Sequence, residues 1–258
     1  MSRRISFAPG EFYHIYNRGN GGRFVFPEIM DKNRFQKLLF LCNSEKSLDM
    51  WELSKNNTEV YKTDRGETLV DIGAYSILYS HYHLLLHEKI QNGISKFMQK
   101  LGTAFSMYFN EKHKNSGSIF EGRFRAKHAD RDPYLEYLFA YIHLNPVEHL
   151  EKNWKEDGLK DLQSATRYLQ KYRHSSYIDY LKNFTREESA LLTPQAFPSY
   201  FLSRTDVEDY HTIWLTQGPS QKEGWTFLLA QKALSGVFCF SAVSSILTTV
   251  LGIIKIDI

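Results

Sequence analysis

His81-Tyr82-His83-Leu84-Leu85-Leu86-His87 reads as a β-strand, and it follows a second strand-like run, 68–78, across the tight connection Tyr79-Ser80. In an extended strand alternate side chains share a face, so His81 and His83 point one way while Tyr82 and Leu84 point the other. Two imidazoles side by side on a rigid strand can hold a divalent metal. His87 has the same parity but lies about 13 Å beyond His83 at strand rise, too far to share one ion, and is read as structural.

Outward from this pair, residues 11–18 (Glu-Phe-Tyr-His-Ile-Tyr-Asn-Arg) are aromatic and β-branched and read as a first strand, closed by Gly19, Gly21 and Gly22. Between the two lies a helix from about Asp31 to Ser44, with Phe35, Leu38, Leu39 and Cys42 at helical spacing and Asp31 as its N-cap. Residues 45–67 are polar, without a sustained pattern, and read as a surface insertion. A helix over about 94–112 carries the stripe Ile94, Phe97, Met98, Leu101, Phe105, Tyr108 and Phe109. A further strand is expected from Gly117 to about Lys127. Asp130 or Asp132 then caps a helix that ends near Asn145, because Pro146 disfavours helical geometry in the residue before it. The order β-α-β-β-α-β-α lacks regular βαβ alternation, so the expected class is α+β: a ferredoxin-like antiparallel sheet with helices on one face, plus a partly helical C-terminal extension. The domains expected are 1–148, a helical extension over 149–215, and an atypical apolar tail over 216–258.

Composition is that of a soluble globular protein, with 42% hydrophobic and 24% charged residues. The net charge of +3 argues only weakly for a nucleic-acid partner. Sixteen tyrosines and eighteen phenylalanines suit stacking on unpaired bases, although most aromatics fill cores. Cys42 and Cys239 form no redox or metal motif, and the N-terminus carries no apolar run behind Arg3 and Arg4, so a cytoplasmic location is expected. Ala233–Ile254 is uncharged over 22 positions, and a helix of that length would reach about 33 Å. Its Ser, Thr and Gly content points instead to a buried hairpin or an acquired tail, and a membrane partner is not expected.

Tyr134, Tyr137 and Tyr141 fall on one helical stripe. The first two read as a packing face. Tyr141 differs because Asn145 stands one turn further on, offering an amide oxygen acceptable to Mg²⁺ or Mn²⁺. A phenol of pKa ~10 needs a nearby cation or base before it can attack at neutral pH. A metal beside a tyrosine is the minimal kit for cutting single-stranded DNA through a covalent intermediate. In the stretch Gly117–Lys127, an extended chain puts Arg123, Arg125 and Lys127 on one face, a row suited to a phosphate backbone; Arg18, next to Asn17, can approach phosphate as well.

Four runs together resemble one family: Tyr13-His14-Ile15-Tyr16-Asn17-Arg18-Gly19, His81-Tyr82-His83-Leu84-Leu85-Leu86, Phe120-Glu121-Gly122-Arg123-Phe124 and Tyr141-Ile142-His143-Leu144-Asn145-Pro146-Val147. They look like the single-tyrosine HUH transposases (IS200-like), and most like the REP-associated tyrosine transposase branch, over about residues 8–180. The resemblance implies a ferredoxin-like domain acting on single-stranded or hairpin DNA. His81 and His83 would hold Mg²⁺ or Mn²⁺, with Asn145 as third ligand, and Tyr141 would attack the scissile phosphate. The product would be a 5′-phosphotyrosine and a free 3′-hydroxyl. Where the family usually has Pro-Asn before the first histidine, this chain has Tyr79-Ser80. Either a monomer or a homodimer exchanging tyrosine helices fits the pattern. The alternatives are a non-catalytic DNA or RNA hairpin-binding protein derived from a transposase, and a metal-dependent phosphoesterase that uses water.

Overall fold

The computed structural model describes residues 6–46, 59–181, 186–198 and 204–217; the apolar run 233–254 lies outside them. Four strands, β1 (Phe12–Arg18), β2 (Asp71–Ile77), β3 (His81–His87) and β4 (Arg125–His128), form one antiparallel sheet in the order β2-β3-β1-β4. Two helices, α1 (Ile29–Cys42) and α2 (Gly93–Lys112), complete the ferredoxin-like pattern. They join Tyr13 and Ile15 of β1 and Tyr82, Leu84 and Leu86 of β3 in one apolar cluster. The expected α2 stripe is buried at Ile94, Phe97, Met98, Leu101, Phe105 and Phe109.

The expectation of helices on one face covers only this half. Helix α3 (Asp132–Leu144) lies on the opposite face, with Ala74 and Leu85 from the sheet and Leu135, Leu138, Phe139 and Ile142 from the helix in a second cluster. The physical reason lies in the strands themselves. On this face of β2 and β3 Ala74, Ser76, His83 and Leu85 are all buried, so it too is withdrawn from water.

Behind α3 the extension adds short helices α4 (Trp154–Asp157), α5 (Leu162–Leu169) and α6 (Tyr177–Tyr180) and a longer α7 (Arg204–Gln217). It also closes the outer edge of β2. Ile77 donates its N–H to His174 O at 2.9 Å, and Ser176 donates to Tyr75 O at 3.0 Å. The buried Arg186 guanidinium locks this return, donating to Asp179, to Tyr75 Oη at 2.8 Å and to Ser175 O at 2.7 Å. Gly73 sits at an irregularity of β2 where a Cβ would stand 2.6 Å from the Phe197 ring, so the close approach of the extension requires glycine there.

Three local expectations are corrected. Asp31 is not the N-cap of α1 but the third residue of a capping box, accepting from Glu28 N at 3.0 Å while Glu28 caps. Asp132 is the first residue of α3, behind Arg131, and neither residue makes a side-chain cap bond. The strand expected over 117–127 forms only from Arg125. Gly117 and Gly122 take positive φ, and Phe120 touches the sheet through a single bridge to Gly19. Of the insertion 45–67, residues 47–58 lie outside the described residues; Val60 is buried and Tyr61 packs on Phe40.

Candidate active site

Strand pairing assembles the site. Residues directly opposite one another share a face, and the register aligns Arg18 with His81, Tyr16 with His83 and Arg125, and His14 with Leu85 and Lys127. His81 and His83 therefore lie on the face turned toward α3, as their spacing predicts. Tyr141 descends from α3 onto them, its ring centroid 5.5 Å from His83 and 5.8 Å from His14, both edge to face. The histidine pair and the tyrosine, 58 positions apart in sequence, are thus neighbours.

Both histidines of the pair have Nδ1 engaged. His83 Nδ1 meets His14 Nε2 at 2.9 Å, and His81 Nδ1 meets Ser80 Oγ at 3.0 Å. Fixing one nitrogen orients the ring and commits the other, Nε2, to a ligand. Burial holds the His81 imidazole down at about 4, with Lys155, His149 and Arg18 adding to the effect. Burial, then His14 and His81, hold His83 well below its ordinary value. Neutral imidazoles are the form that binds a metal.

Asn145 is fully buried at the end of α3, where Pro146 tightens the chain into a 3₁₀ turn over Asn145–His149. Its Oδ1 accepts from Lys155 Nζ at 2.8 Å, and its Nδ2 has no hydrogen-bond partner. A carboxylate oxygen also stands by the pair: Glu148 Oε1 is 3.4 Å from His81 Nε2. Two imidazoles, a carboxylate and an amide are a donor set that suits Mn²⁺ or Mg²⁺. Among the described residues the group of three His, Asp or Glu ligand atoms that closes within 4.8 Å lies elsewhere, at Glu28, Asp31 and His113. There Lys112 Nζ already stands 2.7 Å from Asp31 and 3.0 Å from Glu28, an ion-pair network that ties the end of α2 to the start of α1.

Tyr141 itself is kept as a phenol. Burial raises its pKa, the Glu148 charge raises it further, and the amide of Asn145 beside it offsets part of the rise. A cation is at hand: Lys155 Nζ lies 4.6 Å from the Tyr141 ring centroid and 4.0 Å from Glu148 Oε2. Tyr134 and Tyr137 make the expected packing stripe, stacked at 5.9 Å, with Tyr137 5.0 Å from Trp214 of α7. His87 is held by Asp71 at 2.9 Å.

The basic residues fare unevenly. Arg125 and Lys127 are exposed on the histidine face of β4, whereas Arg123 falls before the strand and does not share its register. Arg18 and Arg125 both reach Glu121, at 2.5 and 3.3 Å. Lys127 lies 4.4 Å over the Tyr134 ring.

Sequence reasoning missed His14, Tyr16, Glu148 and Lys155. The first two share the parity of β1 that the register aligns with His83, a signal present in the sequence. Glu148 follows Asn145 by three residues across a proline, and Lys155 comes from α4, so no periodicity announced either.

No curated protein matches the chain. Among solved structures it is similar to a "REP associates tyrosine transposase bound to a REP hairpin", with 13% identity, 73% of this chain and 89% of that chain covered, and a TM-score of 0.43. The family model described as "Transposase IS200 like" matches residues 36–145, a span that holds His81, His83, Tyr141 and Asn145. Over residues 36–145, therefore, the chain is similar in sequence to the IS200-like transposases.

Proposed function

We propose that the chain is a metal-dependent nuclease and strand transferase that cuts single-stranded DNA beside a hairpin, through a 5′-phosphotyrosine on Tyr141. The observation that carries this reading is the seat of Tyr141 over His83 and His14, on the face where the rings of His81 and His83 also meet.

In this reading His81 and His83 would hold Mg²⁺ or Mn²⁺ together with Asn145. The metal would supply charge neutralisation at the non-bridging phosphate oxygens. Tyr141 Oη attacks phosphorus, the bond from phosphorus to the 3′-oxygen breaks, and that oxygen leaves as a 3′-hydroxyl after taking up a proton. The phenolic proton passes to Glu148, whose charge already acts on Tyr141. Burial raises the Glu148 pKa against the opposing pull of Lys155, which makes it a better base than an exposed carboxylate. One phosphodiester bond is exchanged for another, so attack by a different 3′-hydroxyl rejoins the strand by the reverse path. His14 holds the His83 ring in place, and Lys155 supplies positive charge to the tyrosine as it ionises. Arg125 and Lys127 extend the same face toward the backbone, and Arg18 and Arg123 are the remaining candidates for phosphate contact.

The test is incubation with hairpin-bearing single-stranded DNA and Mn²⁺, denaturing electrophoresis, and mass mapping of any adduct. A metal-dependent adduct on Tyr141, absent in Tyr141→Phe while hairpin binding persists, is the expected result. Hairpin binding with no adduct in any divalent metal would favour the non-catalytic binding protein. Turnover without an adduct, surviving Tyr141→Phe, would favour a water-using phosphoesterase.

A further inference from the structure

Phe24 and Tyr79 are among the few large apolar side chains left in water in the described residues, at 62% and 45% exposure. Their rings face each other at 6.0 Å, tilted by 52°. They form one wall of an open cleft of about 750 Å³, a size that admits small ligands. Ser80, Glu148, His149, Lys152 and Asn153 complete it.

The cleft is continuous with the histidine pair. Ser80 and Glu148 line it, and they are the two residues that hold His81, at 3.0 and 3.4 Å. Tyr79 is braced: Lys32 Nζ lies 4.0 Å from its ring centroid and the His149 ring 4.7 Å from it. Phe24 is far more open. A fixed aromatic wall beside an exposed ring is a stacking platform, and Lys152 adds a cation at its rim. A paired stem keeps the faces of its bases covered, so the partner that fits is unpaired.

We propose that this cleft seats one unpaired nucleobase of the strand next to the scissile phosphate, stacked on Phe24 against the Tyr79 wall. The proposal rests on the strand-cutting reading for its account of which base is bound, and its test needs no cutting. The full chain carrying Tyr141→Phe is mixed with a hairpin whose single-stranded flank holds 2-aminopurine at successive positions. Fluorescence should be quenched at one or two adjacent positions only. Phe24→Ala should remove the quench and weaken binding of the flanked hairpin roughly tenfold, while a blunt hairpin binds as before. Phe24 is exposed, so its removal leaves the core intact. An abasic site at the quenched position should weaken binding to the unsubstituted cleft by a similar factor and leave Phe24→Ala unaffected. Quenching spread evenly along the flank, or equal losses on blunt and flanked hairpins, would overturn the proposal. An adduct in the parent chain without a local quench would sink the base site alone. A local quench without an adduct would keep the base site and sink the cutting reading. Failure to bind any of these DNAs would remove both.

Discussion

On one face of β3, Tyr82, Leu84 and Leu86 belong to the same apolar cluster as Phe35, Phe97 and Phe105. On the other, His81 and His83 meet Tyr141, His14 and Glu148. Both sets come from seven consecutive residues. The first face is held by area alone, with rings meeting at about 5 Å, as Phe35 does with Tyr82 and Phe105. The second buries polar groups, which need partners: His83 has His14, and His81 has Ser80 and Glu148. The comparison teaches that stability and chemistry are separated by strand parity. A slip of one residue in the register of β3 would exchange them.

The sharpest way to break this separation is on the histidine side. His83→Ala is expected to abolish metal-dependent adduct formation while leaving the thermal midpoint close to that of the parent; cleavage assays and calorimetry on the same sample check both. His14→Ala should cost less, about 10- to 100-fold in metal affinity, because His14 only orients the ligand. Manganese titration followed by electron paramagnetic resonance reads this directly. On the opposite face the outcome should reverse. Phe105→Ala, which empties a site shared with Phe26, Phe35 and Phe120, should cost about 3–5 kcal/mol in urea unfolding. Whatever remains folded should react at the parent rate.

Smaller effects sharpen the picture. Lys155→Met should slow adduct formation about tenfold and move the alkaline limb of its pH profile upward, with Lys155→Arg restoring part of the rate. Equal rates in all three chains would mean that the lysine only packs. Acid stability tests the buried histidines away from the metal pair. Burial holds His174 at about 3 and His211 at about 4, and His143, whose Nδ1 lies 3.2 Å from His211, well below its ordinary value. These groups are neutral in the folded chain, whereas unfolded histidines protonate near 6.5. Their contribution is therefore complete above pH ~6.5 and declines as pH falls toward 4. Unfolding midpoints measured from pH 7.5 to 4.5 should fall steadily. The smallest effect is expected of Arg125→Gln and Lys127→Gln, each weakening DNA binding and lowering its salt slope by about one.

Much of this was legible beforehand. Period-2 alternation placed His81 and His83 together, and helical spacing found α1, α2 and α3 with Tyr141 on the last. What failed did so for identifiable reasons. Gly117 and Gly122 interrupt an otherwise strand-like run, because their positive φ outweighs the aromatic pattern around them. The second covered face was hidden because helical spacing finds α3 without saying which face of the sheet it takes, and the sheet offers it only Ala74 and Leu85 as buried apolar partners. Glu148 and Lys155 reach the site through a 3₁₀ turn and a four-residue helix, elements too short to show any period.

The return of residues 174–176 onto β2 sets where this molecule can be divided. A fragment stopped near residue 150 would keep the matched span and Glu148, yet Tyr75 and Ile77 would offer bare backbone groups along a flat apolar edge. Such an edge recruits strands from other molecules, so that fragment should precipitate or pair with its own kind. The portable unit for expression therefore reaches at least to Arg186, which bonds Ser175 O, and to Phe197, which packs on Gly73.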